Sequence, residues 1–216
     1  MNKSERKKKY DFIVSYFTKT NPNPTTELNH KNNFELLVSV VLSAQCTDER
    51  VNLVTPALFE RFPNPQEMAQ ATKEELFELI KSVTYPNSKA NYLKKLSTIL
   101  VQDFGGNIPN NREALESLPG VGRKSANVVL AVAFNQPTMP VDTHVFRVAN
   151  RIGLVKKATT PLEVEKQLVA NFPKETLANA HHWLILHGRY VCVARKPKCD
   201  ACPLCDICDY YFKYIV

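Results

Sequence analysis

The chain has 216 residues, 44% of them hydrophobic, which is enough for one large or two small domains with buried cores. Its 28 lysine and arginine residues outnumber the 21 acidic ones, and the net charge of +7 favours a polyanionic partner. No apolar run approaches the ~20 residues of a membrane span, and the broken apolar patch at residues 12–17 is too weak for an export signal. We therefore expect a cytoplasmic protein with no membrane partner.

Helical patterns fill the first third of the chain. Residues 4–18 have the spacing of an amphipathic helix, and the proline-rich stretch 21–24 breaks it and marks the first expected domain boundary. Residues 34–46 are apolar on most sides, which predicts a central buried helix. Either Thr47 or Asp48 can cap the helix that follows.

Further helices follow at regular intervals. Pro63 and Pro65 are expected to end the preceding helix, because proline cannot continue the hydrogen-bond ladder. Thr72 and Glu75 then form a capping box before a run of spaced apolar residues. The next helix is expected to stop at the glycine pair 105–106.

The stretch 118–124 reads Leu-Pro-Gly-Val-Gly-Arg-Lys and predicts a tight turn between two helices. Asn110 or Asn111 can cap a short helix that ends where this stretch begins. Gly120 and Gly122 permit backbone angles that other residues resist. A glycine-rich turn that leads into a helix N-terminus presents N–H groups able to hold a phosphate without reading base sequence.

The apolar run after this turn predicts a helix over residues 123–134. One face of that helix contains Ala126, Val129, Leu130, Ala133 and Phe134. Lys124 lies in the first turn on the opposite side, so its amine is expected to face away from the core. The simplest alternative is an ordinary pair of antiparallel helices with a solvated lysine.

The remaining helices are predicted from caps and glycine stops. Asp142 can cap a helix over residues 143–152, and a capping box begins at Thr160. Residues 175–187 are expected to form another helix that Gly188 ends. No segment alternates like a β-strand, so we predict an all-α fold without internal repeats.

Five of the six cysteines lie close together near the C-terminus, which in a protein that is not exported favours a metal site over disulfides. Cys192, Cys199, Cys202 and Cys208 have the spacing C-x6-C-x2-C-x5-C. Four thiolates in so short a segment suit tetrahedral zinc or one [4Fe–4S] cluster. Cys205 allows a second register, in which it replaces Cys192 as a ligand.

These motifs together resemble the endonuclease III family of helix-hairpin-helix DNA glycosylases. The resemblance rests on Leu-Pro-Gly-Val-Gly-Arg-Lys at 118–124, Val-Asp-Thr-His at 141–144 and the cysteine spacing, and it covers residues 5–210. It implies two helical domains flanking a DNA-binding groove: a six-helix domain at 26–136 that contains the hairpin, and a cluster domain made of 1–25 and 137–216. It also implies a nucleoid-associated, monomeric enzyme.

The resemblance implies a bifunctional DNA glycosylase and abasic-site lyase that acts on double-stranded DNA containing a damaged base, with oxidised pyrimidines as the expected lesions. Lys124 would be the nucleophile and Asp142 the assisting carboxylate. Gln45 would fill the gap left by a flipped base, and Tyr85 would be a wedge. The further expected DNA contacts are Leu118, Gly120, Val121, Gly122, Arg195 and Lys198. The implied ligands of a [4Fe–4S] cluster are Cys192, Cys199, Cys202 and Cys208, with Cys205 as a small buried filler.

Two other functions compete with this hypothesis. Adenine-excising mismatch glycosylases share the hairpin, the aspartate and the cluster but lack the lysine, so Lys124 favours the lyase. A non-catalytic, redox-sensing DNA-binding module would need the hairpin and the cysteines but neither Lys124 nor Asp142. Asp142 is also open to a purely structural interpretation as a helix cap.

Overall fold

The structure is a computed structural model that describes residues 3–215. Within these residues it contains helices and turns and no strand, which confirms the all-α prediction. The described residues divide into two compact units, one from Thr26 to Asn135 and the other from the chain up to Thr25 together with the chain from Gln136 onward. Residues 1, 2 and 216, which the sequence assigned to the cluster domain, lie outside the described residues. No described helix is both long and apolar enough to cross a lipid bilayer.

The unit formed by residues 26–135 contains seven helices. These are α2 (Asn33–Leu42), α3 (Asp48–Arg61), α4 (Pro65–Gln70), α5 (Lys73–Ile80), α6 (Pro86–Phe104), α7 (Arg112–Glu116) and α8 (Arg123–Phe134). The predicted number of six is wrong because Pro65 does not stop a helix. It occupies the first turn of α4, where its missing N–H costs nothing, and Asn64 caps that helix.

The helix α2 is the centre of this unit. The side chains of Leu36, Leu37 and Leu42 are fully buried, as the apolar pattern predicted. The helix ends at Leu42 rather than near residue 46, and it is followed by a turn in which Gln45 has a φ of +55°. Cys46 therefore lies in a turn and is only half-buried, which corrects its expected place inside a core helix.

The second unit combines both ends of the chain. Its helices are α1 (Lys3–Thr20), α9 (Thr143–Ile152), α10 (Pro161–Asn171), α11 (Leu177–Tyr190) and α12 (Asp209–Tyr214). The ring of Tyr10 in α1 packs edge-on against Phe172 with centroids 4.7 Å apart, and its hydroxyl donates to the Leu154 carbonyl. The Trp183 indole donates to the Asn21 carbonyl at 2.8 Å, which attaches the end of α1 to α11.

Gly188 lies inside α11 and does not end it, contrary to the prediction. A Cβ at this position would lie 2.9 Å from Cβ of His144 and 3.1 Å from a methyl group of Val148. The glycine is therefore explained by the close crossing of α9 and α11. From the sequence alone, a glycine that a close helix crossing requires cannot be distinguished from a glycine that ends a helix.

Candidate active site

Hydrogen bonds stabilise the turn between α7 and α8 and the short helix that precedes it. Asn111 accepts a hydrogen bond from the Ala114 N–H and caps α7, and the Val121 N–H donates to the Leu118 carbonyl at 3.0 Å. The side chains of Leu118 and Val121 are buried, so any ligand at the turn meets backbone and not these side chains. Gly120 has a φ of +83°, a conformation that favours glycine.

The two glycines of the turn have different surroundings. The ring of Tyr92 lies against Gly120, and a Cβ on that glycine would be 3.0 Å from the nearest ring atom. Gly122, in contrast, has an ordinary φ of −99°, and no atom lies within 4 Å of the place where its Cβ would be. The protein itself therefore requires glycine at residue 120 but not at 122.

Lys124 lies in the first turn of α8 and is exposed, as the helical spacing predicted. Gly122 is the N-cap of α8, and it has no side chain that could accept a hydrogen bond from the N–H groups of the first turn. Such an uncapped N-terminus carries partial positive charge, which suits an anion such as a phosphate. The turn and the lysine are thus adjacent parts of one surface.

Asp142 is the N-cap of α9 in the other unit. Its Oδ1 accepts a hydrogen bond from the Val145 N–H at 2.8 Å, so the structural interpretation of this aspartate is confirmed. His144, two residues later, has its Nδ1 3.2 Å from the guanidinium of Arg147. The cap holds the carboxylate in one orientation at the start of the helix.

Gln45 and Tyr85 are both exposed and both lie in the left-handed region of backbone conformation, with φ values of +55° and +54°. The Tyr85 side chain is 62% exposed, which is unusual for a large aromatic residue. The hydroxyl of Thr84 donates to the Gln45 carbonyl at 2.8 Å and links the two turns.

All five C-terminal cysteines line a single pocket. None of these five cysteines forms a disulfide. All five are half-buried. Cys192, Cys202 and Cys208 pack against the core of their unit, whereas the Cys205 thiol donates to the Asp206 carboxylate. The prediction that Cys205 is buried is therefore wrong. Within residues 3–215, no three Cys, His, Asp or Glu side chains converge closely enough to hold a single metal ion.

Burial makes these thiols hard to ionise without a bound cation. It raises the pKa of Cys202 to about 11 and raises the pKa of Cys199 and of Cys208, and neighbouring thiols add to the increase. Thiolates are the form that binds metal, so a positively charged group in this pocket would reverse the direction of these shifts and release protons on binding.

Two arginines of α9 hold the cysteine segment in place. Arg147 donates to the carbonyls of Cys192 and Gly188 at 3.0 and 2.8 Å. Arg151 donates to the Val193 carbonyl at 2.7 Å and to the Cys192 sulfur at 3.5 Å, and its guanidinium stacks on the Tyr210 ring. The same helix therefore carries Asp142 at its N-terminus and supports the cysteine pocket along its length.

Comparisons with known proteins agree with these features. The model of the family described as HhH-GPD superfamily base excision DNA repair protein matches residues 38–174. Endonuclease III of Rickettsia conorii is 54% identical over 200 residues, which cover 93% of this chain and 95% of that protein. Endonuclease III of Escherichia coli K12 is 46% identical over 210 residues, which cover 97% of each. The chain belongs to the endonuclease III family.

Solved structures extend the match to three dimensions. A trapped endonuclease III–DNA covalent intermediate superimposes with a TM-score of 0.90 at 43% identity, covering 96% of this chain and 97% of that one. A thermostable thymine-DNA glycosylase superimposes with a TM-score of 0.85 at 25% identity, covering 97% and 98%. As a member of the endonuclease III family, the chain is a base-excision repair enzyme, a bifunctional DNA glycosylase and abasic-site lyase, and its cysteines are consistent with an iron–sulfur cluster.

The structure adds residues that the sequence analysis did not single out. Arg147 and Arg151 support the cysteine segment, and His187 places its Nε2 3.6 Å from the Cys202 sulfur. Lys89 is buried and donates to backbone carbonyls next to Gln45. Their partners are far away in the sequence, so helical spacing could not reveal these roles.

Arg195 and Lys198 are exposed on the cysteine segment, as expected for groups that meet solvent or a ligand.

Proposed function

We propose that this enzyme removes oxidised pyrimidines from double-stranded DNA and then cleaves the abasic site through a Schiff base on Lys124. The observation that carries the proposal is the exposed lysine in the first turn of α8, directly after a turn whose Gly122 has open space beside it. A similar protein has been trapped as a covalent intermediate with DNA, which supports DNA as the substrate. The site of action would be the nucleoid in the cytoplasm.

A base stacked inside a duplex cannot be reached, so the damaged nucleotide must first rotate out of the helix. The backbone of the 118–124 turn would hold a phosphate beside the lesion while Gln45 occupies the vacated space and Tyr85 separates the neighbouring bases. Arg195 and Lys198 would contact phosphates farther along the strand.

The neutral amine of Lys124 would then attack C1′ of the exposed sugar. A C1′–N bond forms as the bond to the base breaks, and the base leaves with the bonding electrons and takes up a proton. Ring opening gives a protonated Schiff base. Loss of a C2′ proton then expels the 3′ phosphate by β-elimination, and hydrolysis frees the lysine.

In this scheme Asp142 would stabilise the positive charge that develops on the sugar and would assist the proton transfers. Its hydrogen bond to the Val145 N–H uses one carboxylate oxygen and fixes the orientation of the group. A carboxylate held by a helix cap needs no reorganisation during the reaction, so the capping role and the catalytic role are compatible.

We further propose that the cysteine pocket holds a [4Fe–4S] cluster through Cys192, Cys199, Cys202 and Cys208. The residues fit the group, because the thiols line one pocket and four thiolate ligands in a short segment suit a [4Fe–4S] cluster. A bound cluster supplies ligation free energy that orders the segment 192–208. Cys192→Ser should abolish the visible absorbance of the purified protein. Cys205→Ser should preserve it, and the reverse result would select the other register.

Borohydride trapping on duplex DNA with a single abasic site tests the central proposal. The reagent reduces a Schiff base, so the wild-type protein should give a covalent adduct and Lys124→Gln should give none. Lys95→Gln is the matched control, because Lys95 is also an exposed helical lysine. Absence of an adduct in the wild type, or an adduct that persists in Lys124→Gln, would overturn the assignment.

A further inference from the structure

Among the residues of the 26–135 unit, two turns carry the side chains proposed to enter DNA. Gln45 lies just beyond the end of α2, and Tyr85 is the N-cap of α6. Each is a non-glycine residue with positive φ, a conformation that is unfavourable unless the surrounding structure imposes it. The structure must therefore contain contacts that hold both turns.

Three hydrogen bonds connect the beginning of α6 to the backbone around Gln45. The Thr84 hydroxyl donates to the Gln45 carbonyl at 2.8 Å, and the Lys89 ammonium donates to the carbonyls of Leu42 and Ala44, also at 2.8 Å. The carbonyl of Gln45 and two carbonyls that precede it are thus tied to residues on either side of Tyr85.

Lys89 is an unusual residue for this position. It is 3% exposed, and its pKa is lowered because burial disfavours the charged ammonium. Its ammonium donates to two backbone carbonyls, and no ion pair within residues 3–215 includes it. Burial of a charged amine is unfavourable, so an apolar residue would serve simple packing better.

The same helix reaches the hairpin. Lys89 and Tyr92 are three residues apart on α6, which places them along one face of the helix, and Tyr85 is the N-cap of the same helix. The Tyr92 ring lies against Gly120, with 3.0 Å between its nearest atom and a Cβ built on that glycine. One helix therefore contacts the Gln45 turn, the Tyr85 turn and the 118–124 turn.

We propose that Thr84 and Lys89 are positioning residues that fasten the Gln45 turn to the Tyr85 turn, so that both side chains enter the duplex as one rigid unit. This inference rests on the proposed function. If the two turns are ordered before DNA binds, the enzyme does not lose their conformational freedom at the moment of base flipping. Removing the hydrogen bonds of Thr84 or Lys89 to the Gln45 turn should slow base flipping. It should not slow the chemistry at a sugar that is already outside the DNA helix.

The test compares two DNA substrates under single-turnover conditions. The first is a duplex with a damaged pyrimidine in a base pair and 2-aminopurine beside it, whose fluorescence reports flipping. The second carries an abasic site in a single-nucleotide bulge, where the sugar needs no flipping. Thr84→Val removes the donor at an exposed position, so it should fold normally, and Thr84→Ser retains the hydroxyl.

We expect Thr84→Val to slow flipping and excision on the paired substrate about fivefold to tenfold, the effect of losing one hydrogen bond, and to leave cleavage of the bulged substrate within about twofold. Thr84→Ser should restore the paired rate. Lys89→Met should act in the same direction and more strongly. Thr98→Val and Lys95→Met are the matched controls on α6 and should change neither rate, since Thr98 bonds within its own helix.

Equal losses on both substrates, or no loss on the paired one, would refute the positioning role and leave a plain structural contact. Failure of Thr84→Ser to restore the paired rate would refute it as well. Failure of the proposed function looks different, because the wild-type enzyme would then form no Schiff base on either substrate.

Discussion

The two glycines of the hairpin allow a test that separates what the fold needs from what the DNA needs. In Gly120→Ala, the new side chain meets a φ of +83°, where a non-glycine residue costs about 1 to 2 kcal/mol. It also lies 3.0 to 3.2 Å from Cδ2, Cγ and Cβ of Tyr92. Rotation of the ring does not move the Cβ, so the backbone of the turn or of α6 must shift by a few tenths of an ångström, which adds to the loss. The expected loss of unfolding free energy is about 2 kcal/mol.

Gly122→Ala should behave differently. Its φ of −99° suits alanine, and no atom lies within 4 Å of the new Cβ. Alanine restricts the unfolded chain, which stabilises by about 0.4 to 1 kcal/mol, but it is a poorer N-cap than glycine by a similar amount. The net change in stability should be near zero. If the open space receives a DNA phosphate, the methyl group should raise the Kd for DNA about tenfold, the loss of roughly one charge-assisted hydrogen bond.

Urea unfolding of both variants measures the free energy of unfolding. Fluorescence anisotropy with a duplex that contains an uncleavable abasic analogue measures the Kd for DNA. The salt concentration is held fixed, because salt screens phosphate contacts. Equal destabilisation by the two substitutions would refute the structural distinction between the glycines. Unchanged affinity in Gly122→Ala would refute the phosphate contact.

Three more predictions concern the other unit. Asp142→Asn keeps a good helix cap, so the unfolding free energy and the DNA affinity should change little while turnover falls about 100-fold or more. Comparable losses in DNA affinity and turnover would indicate that Asp142 is only a helix cap. Burial lowers the pKa of His182 from 6.5 to about 4, so the unfolded chain binds a proton that the folded one does not. His182 alone should therefore lower the unfolding free energy by about 2 kcal/mol from pH 7 to pH 5, and His187, whose pKa is also lowered by burial, adds to this loss. Urea titrations of His182→Gln should show a shallower pH dependence. Residue 153 has a φ of +85°, which is unfavourable for alanine. In Gly153→Ala the new Cβ would also overlap the carboxylate of Asp209, which is hydrogen-bonded to Lys9. Calorimetry should show a loss of about 2 to 3 kcal/mol, and a loss no larger than that of Asp209→Asn would contradict the steric argument.

Local chemistry explains which elements could be predicted from the sequence. The capping boxes at Thr72 and Thr160 both form, because a cap involves only residues three positions apart. The exposure of Lys124 follows from helical spacing alone. Pro65 was misinterpreted because proline is compatible both with the first turn of a helix and with its end.

The remaining features depend on contacts between distant segments. Gly188 accommodates α9, and Lys89 bonds to carbonyls more than 40 residues earlier, with sequence separations of 47 and 45. Neither contact leaves a periodic pattern. The roles of Lys124, Asp142 and the cysteines were inferred from a family resemblance, because spacing shows only that such residues could react or bind metal.

The unit built from both chain ends has a consequence for synthesis on the ribosome. Lys9 bonds to Asp209, 200 residues later, and Tyr10 bonds to Leu154, 144 residues later. Because translation proceeds from the N-terminus, α1 must remain without these partners while the whole 26–135 unit emerges and folds. The nascent chain should therefore acquire its hairpin well before the unit that carries Asp142, and a stalled polypeptide would expose the apolar face of α1 to chaperones or proteases.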